Sequence, residues 1–411
     1  MTERDLNLRK PSFLALGALL LLLIGAFAFY RHRLYFADAS FIAFNVIYYQ
    51  QWYIQADRYG SFITQMFLFL GQKFHLPLKF ILISYAVSFN LFYLAVAAVL
   101  SLKLKQHALT ILMALYYFLF VSAGYFWTNN ELHQAVAWMF LWIGLTIYLG
   151  QKGFNRSLTL VLFSLLAFIT LFTHFIVLIP TIFLALFLLA ERKSWPFSKM
   201  MTLAFAGIVL LIMAVKFLKA GNNPYDNEHL QPLAKISLTD LWGFYKPAVV
   251  QNFFARCITN YWAATMVFFL SCYILIRKKK FLQLAITLAC VLGFVILIGI
   301  VYAGYQEMPG DRNLFHIESE WQCMGILIAA GFVFYFLPSM KERYALQLLS
   351  AIFISRTVYI LAALPLFSER TAMSEKILLR MQDLGITKLG IINDDRIRSA
   401  YNIYGTTGYE S

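Results

Sequence analysis

Two acids stand where apolar sequence meets a polar boundary. Asp38 follows the first apolar run, and Glu131 opens a later one. A carboxylate at a membrane edge costs free energy unless it is paired or solvated, so each is a candidate for chemistry by default. Asp38 sits in Arg31-His-Arg-Leu-Tyr-Phe-Ala-Asp38-Ala-Ser-Phe41. There it could act as a base toward a hydroxyl, or it could be a solvated acid paired with Arg31 or Arg33. Glu131 and His133 follow Trp127-Thr-Asn-Asn130. An acid in a first helical turn after Thr or Asn is also ordinary helix-start chemistry.

The cations suggest a bound anion. Arg356 lies inside the last apolar run, in Ile354-Ser-Arg-Thr-Val358. At that depth it must face the bundle interior, a partner or a lipid head group. Arg58, Arg256 and Arg312 lie in polar segments, and arginine holds phosphate oxygens bidentately. Together they form a candidate phosphate or diphosphate site; a structural pair with a buried acid is the other reading of Arg356. Lys216 and Lys219, at one helix end, are expected to snorkel to the interface. His174 stands in the tight connection Thr173-His-Phe175. His229 and His316, with Asp226, Glu228, Asp311, Glu318 and Glu320, have the chemistry for a divalent cation. No spacing among them is diagnostic, so no metal ligand is assigned.

The elements that position these residues follow from composition. The chain has 411 residues, 61% hydrophobic, 18% aromatic and only 13% charged. Soluble domains carry about 25% charged residues, so this chain cannot cover a water-facing surface. The reading is an all-α polytopic membrane protein with about eleven transmembrane helices, each near the ~20 residues a bilayer requires. They are expected near 12–30, 78–101, 108–126, 132–150, 157–173, 175–190, 200–218, 259–276, 281–304, 321–338 and 344–367. The run at 12–30 is read as an uncleaved helix although Ala26-Phe-Ala28 resembles a signal-peptidase site. Four cysteines without a CxxC pair exclude a zinc or disulfide framework.

The net charge of +14 resides largely in short loops. Lys103/Lys105, Lys152/Arg156, Arg192/Lys193/Lys199, Arg277 to Lys280 and Lys341/Arg343 alternate with longer loops rich in acid, amide and aromatic residues. The positive-inside rule then places the amino terminus in the cytoplasm and 31–77, 127–131, 219–258, 305–320 and the tail outside. The charge calls for membrane lipid, not nucleic acid. Residues 1–367 form the predicted transmembrane domain and 368–411 a small extracytoplasmic tail. Within the first outer loop, Ser40–Tyr53 and Ser61–Phe74 are too short to span and read as interfacial helices. Gly221 to His229 reads as a turn, and Ser237 to Asp240 as a helix cap. Glu369–Leu384 reads as an amphipathic helix and Leu389 to Ile392 as a short strand. Nucleotide-binding and HExxH motifs are missing.

This layout resembles the GT-C superfamily, integral membrane glycosyltransferases that use polyprenyl-phosphate sugars, such as protein mannosyltransferases and aminoarabinose transferases. The points of likeness are the first helix, the long first outer loop with Asp38, the two interfacial helices, and the stretches Arg58-Tyr-Gly60 and Lys73-Phe-His-Leu-Pro-Leu78. Here a single Asp stands where many members have an acidic pair. The resemblance implies sugar transfer from a lipid-linked donor to a glycan, lipid or protein acceptor at the outer face of the cell (inner) membrane, with Asp38 as catalytic base or ligand of a divalent cation. Glu131 would assist it. Arg58, His133, His174, Arg256, Arg312, His316 and Arg356 would bind substrate or phosphate, and Tyr35, Trp52, Tyr125, Trp127 and Tyr261 could line a groove.

Two other classes fit the pattern. An O-antigen or capsule polymerase or ligase would use the basic outer loop 219–258, with His229, Lys246 and Arg256. A transporter or flippase of lipid-linked glycans would show matched helix breaks in two halves, and no such symmetry is present.

Overall fold

The computed structural model describes residues 7–34, 37–128, 131–191, 195–221, 224–303 and 314–386, which are helical with no strand among them. The chain begins with α1 (Arg9–Ala28), a short α2 (Tyr30–Leu34), α3 (Ala37–Tyr49), α4 (Phe62–Lys73) and α5 (Leu78–Ala98, prolonged by a π turn to Lys103). It continues with α6 (His107–Phe120), α7 (Glu131–Gln151), α8 (Arg156–Thr173), α9 (Leu178–Ala190) and α10 (Lys199–Ala220). Then come α11 (Pro224–Ala234), α12 (Leu238–Gly243), α13 (Ala248–Thr259), α14 (Trp262–Arg277), α15 (Phe281–Val301), α16 (Leu314–Trp321), α17 (Met324–Gly331) and α18 (Glu342–Asp383).

Among the described residues, seven helices are long and apolar enough to cross a membrane: α1, α5, α7, α8, α10, α15 and α18. The number reaches eight if α13 and α14, bent by 87° at Asn260–Tyr261, form one broken span. Shorter apolar helices at His107–Phe120, Phe175–Ala190 and Met324–Ser339 occupy the three other expected positions. The chain is therefore an all-α polytopic membrane protein.

The short helices are short because protein surrounds them. All of α6 from Leu109 to Phe120 is buried, as is every residue of α17. A helix apolar on every side belongs in a core. At 14 residues α6 is roughly 21 Å long, so it ends inside the bundle. The two lie against each other, and Gly325 permits the approach: a Cβ there would stand 3.3 Å from Tyr116 Cα. Around this pair, α1, α5, α7, α8 and α10 pack in succession on one side, and α9, α14 and α15 on the other. His174 separates α8 from α9 with one extended residue, φ −157 and ψ 134. The two helices pack on different neighbours, α8 on α7 and α10, α9 on α15 and α17.

Side-chain contacts tie several of the loops to one another. Lys10 pairs with Glu342 at 2.7 Å, Ser12 Oγ meets His107 Nδ1 at 2.9 Å, and Lys280 pairs with Glu191 at 2.7 Å. Arg31 pairs with Glu375 at 3.1 Å and Arg58 with Glu131 at 2.9 Å.

The two surface helices of the first loop are present as α3 and α4. One face of α3 (Ala39, Ile42, Ala43, Val46) is buried against Leu68, Ile81 and Tyr85, while Phe41, Phe44, Tyr48 and Tyr49 are exposed. That division is the amphipathicity of an interfacial helix. The expected turn from Gly221 to His229 is instead helical from Pro224, a residue suited to a first helical position. At 367, the expected boundary, α18 runs on without interruption to Asp383, 42 residues in all, and the predicted helix at Glu369–Leu384 is its far part. Gly385 closes it with φ +62. The strand expected at Leu389–Ile392 lies outside the described residues.

A titratable group, His32, stands at the junction between α2 and α18. His32 Nε2 meets Ser368 Oγ at 3.1 Å. Partial burial lowers the His32 pKa, with Glu375 opposing and Arg31 reinforcing the shift. With the folded value depressed, the unfolded chain takes up the proton first as pH falls. Thermal stability in detergent should decline as pH drops below about 6.5, the ordinary histidine value. His32→Gln should flatten that part of the profile, and an unaltered profile would refute the assignment.

Candidate functional site

The site begins with an arginine that the sequence presents only as loop charge. Arg33, on α2, is 1% exposed. Its guanidinium donates to the Tyr125 carbonyl, to Asn90 Oδ1 at 2.9 Å and to the Ala86 carbonyl at 3.4 Å, and it lies 4.6 Å from the Tyr125 ring centroid. Thr128 Oγ1 donates to the Arg33 carbonyl at 2.9 Å. These bonds fasten the first outer loop to α5 and to the segment before α7. They thereby bring Trp127 to Asp38, whose Oδ2 accepts from indole Nε1 at 3.2 Å. Asp38 lies in the first turn of α3, a favourable place for an acid, and is exposed.

Glu131, the first residue of α7, is buried and paired with Arg58. The side chains are 10% and 14% exposed, so removing either partner leaves the other poorly solvated. Glu131 and Asp38 both act electrostatically on one group, the buried Tyr85 hydroxyl of α5. That hydroxyl has no hydrogen-bond partner among the described residues. His133 stacks on Tyr117, with centroids 4.5 Å apart and planes at 17°, and neither ring nitrogen has a hydrogen-bond partner among the described residues. Arg33 acts on it electrostatically.

Arg58 faces two ways. Besides Glu131 it lines a cavity of about 260 Å³ whose walls include Phe175, Ile179, Leu233 and Leu297. His174 and Lys216 line the same cavity. Lys216 does not snorkel outward. It is 5% exposed, donates to the Leu171 and Phe172 carbonyls, and sits 4.0 Å from the Phe175 ring centroid. A cation at the carbonyl end of α8 complements the helix dipole. The cavity is thus apolar, with cations grouped near one another.

The turn carrying Arg58 is held tightly. Ala56 and Asp57 have φ of +50 and +56, a left-handed conformation that side chains disfavour. Tyr59 donates its hydroxyl to Asp57 Oδ1 at 2.6 Å, and Lys219 of α10 approaches Asp57 at 3.7 Å. The Asp57 carboxylate and burial both raise the Tyr59 pKa. Gly60 lies against α7 and α8: an added Cβ would stand 2.0 Å from Thr173 Oγ1, which is itself bonded to the Ile169 carbonyl.

Arg356 does not join the group. It is 0% exposed. It donates through Nε to the Phe118 carbonyl at 2.9 Å, through Nη2 to Val121 at 3.0 Å, and through Nη1 to Asn260. The last carbonyls of a helix have no partner within it, and α6 ends among buried residues. Expected as a phosphate ligand, Arg356 instead bonds backbone carbonyls and does not line the cavity beside Arg58. A buried acid does balance this arginine: Glu318 acts on it electrostatically and accepts from the Ser122 and Gly124 amides at 2.8 and 2.7 Å. Arg256 lies on α13, acts on Tyr261, and is not among the residues lining the cavity. Arg312 falls outside the described residues, as do Tyr35 and Asp311. The side chains of His316, His229, Asp226 and Glu228 are likewise undescribed. Tyr125 and Tyr261 are buried, and Trp52 stacks on Phe69. No three His, Cys, Asp or Glu side chains converge as a cation site among the described residues.

Tyr85, mid-run in an apolar helix, had no signal in the sequence, and Lys216 was expected to snorkel outward. Only the packing of other segments gives them a role. Compared with known proteins, no family model matches the chain, and no curated protein or solved structure is significantly similar to it.

Arg356→Gln should lower thermal stability sharply in detergent, because each buried carbonyl left without a donor costs about 1–3 kcal/mol. A variant that melts with the parent would show that the carbonyls do not depend on this guanidinium.

Proposed function

We propose that the chain is a membrane glycosyltransferase of GT-C type, moving a sugar from a polyprenyl-phosphate donor to an acceptor at the outer face of the cytoplasmic membrane. One arrangement carries the reading. Glu131 pairs with Arg58 at the wall of an apolar cavity that also holds His174 and Lys216, and it shares Tyr85 with Asp38. An apolar cavity with cations suits a phosphate on a long hydrocarbon, and exposed Asp38 is accessible to an acceptor from water.

In this mechanism the donor phosphate lies by Arg58 and Lys216, with its prenyl chain along the cavity walls. Asp38 takes the proton from the acceptor hydroxyl as its oxygen attacks the anomeric carbon. The bond from that carbon to the phosphate oxygen breaks, and the lipid phosphate leaves with its charge stabilised by the cations. Glu131 keeps Arg58 in position. The eleven apolar segments are taken as the spans. The positive-inside rule sets the amino terminus in the cytoplasm and α18's far end outside, in a cell envelope such as a bacterial inner membrane.

A second reading has one observation in its favour. Leu230 and Leu233, from the outer loop 219–258, line the same cavity, as a polymerase or ligase using that loop would require.

The test is transfer of labelled sugar from a polyprenyl-phosphate donor to acceptor by the full chain in proteoliposomes. Asp38→Asn should lower the rate by a factor on the order of 10² or more while leaving the melting temperature unchanged, because the side chain is exposed. Full activity in Asp38→Asn with inactivity in His229→Ala and Arg256→Ala would favour the polymerase reading. Label that crosses the bilayer without transfer would replace both with a carrier.

A further inference from the structure

A second concavity lies along α3, lined by Ser40, Ala43, Phe44, Ile47 and Tyr48. It is a groove of about 690 Å³ between α2, α3, α5 and the far part of α18, a size within the range of small-molecule sites. Its floor is aliphatic: Leu34, Ala43, Ile47 and Leu82. Its rim holds two cations, Arg31 and Lys79, and one acid, Glu375. Arg31 is tied to Glu375 at 3.1 Å and to the Tyr30 hydroxyl at 3.3 Å. Lys79 is exposed and has no ion pair among the described residues.

Position identifies the surroundings. The groove lies just beyond the end of α1 and at the start of α5, the level at which spans meet lipid head groups. The outward aromatic face of α3, Phe44 and Tyr48, forms one lip. An apolar floor in this place contacts hydrocarbon, and a net positive rim there contacts phosphate.

We infer that this groove is a specific site for an anionic phospholipid of the surrounding bilayer. Its acyl chain lies along the α3–α5 floor and its phosphate lies between Arg31 and Lys79. Glu375 sets the strength of the site: it pairs with Arg31 and lowers the net charge that the head group meets. The inference does not depend on the reaction assigned to the cavity beside Arg58.

Thermal shift of the full chain in detergent tests it, with dioleoyl phosphatidylglycerol, dioleoyl phosphatidylcholine or inorganic phosphate added in turn. A basic residue near a lipid surface is worth about 1 kcal/mol, which is roughly fivefold in affinity. Phosphatidylglycerol should stabilise at lower concentration than phosphatidylcholine, and phosphate alone should not reproduce the effect. Lys79→Ala should weaken the phosphatidylglycerol response about fivefold, and Glu375→Gln should strengthen it by a similar factor. Lys79 is exposed, so its replacement leaves the fold intact. Equal response to the two lipids, an equal response to phosphate alone, or unchanged binding in Lys79→Ala would overturn the site.

Discussion

A helix that ends inside a protein, within a membrane, must find partners for its last carbonyls without water. That constraint governs this molecule. Unpaired backbone groups cost several kcal/mol in hydrocarbon, and the last turn of α6, with Val121 after it, is buried. Arg356 resolves it by reaching from α18 to Phe118, Val121 and the break at Asn260. One guanidinium thereby ties the core helix to the last span and to the bend between α13 and α14. The extended segment that follows α6 is secured in turn by Glu318, through the Ser122 and Gly124 amides. A buried cation and a buried acid, each satisfied mainly by backbone, make an irregular connection possible at this depth.

The candidate site depends on that connection. Val121 to Thr128 leads directly into Glu131, and its course past Arg33 brings the first outer loop over α5. Arg33, Arg58 and Lys216 each join two segments that are distant in sequence. Each is largely buried and each binds carbonyl or carboxylate oxygen. The polar groups are therefore concentrated in one region of an otherwise apolar bundle.

Sequence patterning made the architecture legible to a considerable degree. Apolar runs near the length of a bilayer located the helices. Asp38, Arg58, Glu131 and His174 were singled out from their types and places, and they lie in one region, linked through Tyr85 and the cavity. Arg356 shows where such reasoning stops. A buried arginine needs acceptors, but sequence cannot say whether they are phosphate or carbonyl oxygens. That depends on where α6 ends, which only packing determines. The roles of Tyr85 and Lys216 were illegible for the same reason, and the helix at Pro224–Ala234 was hidden by the turn-forming residues before it.

Consider finally the length of α18. At about 1.5 Å per residue its 42 residues extend roughly 63 Å, twice the ~30 Å thickness of the hydrocarbon layer. Pro365 lies inside α18, and an internal proline removes one backbone hydrogen bond and favours a kink. Beyond that point the helix is held beside the bundle by side chains, Ser368 with His32 and Glu375 with Arg31. The last span and the helix beyond it are thus one element, and the proline marks where its direction can change.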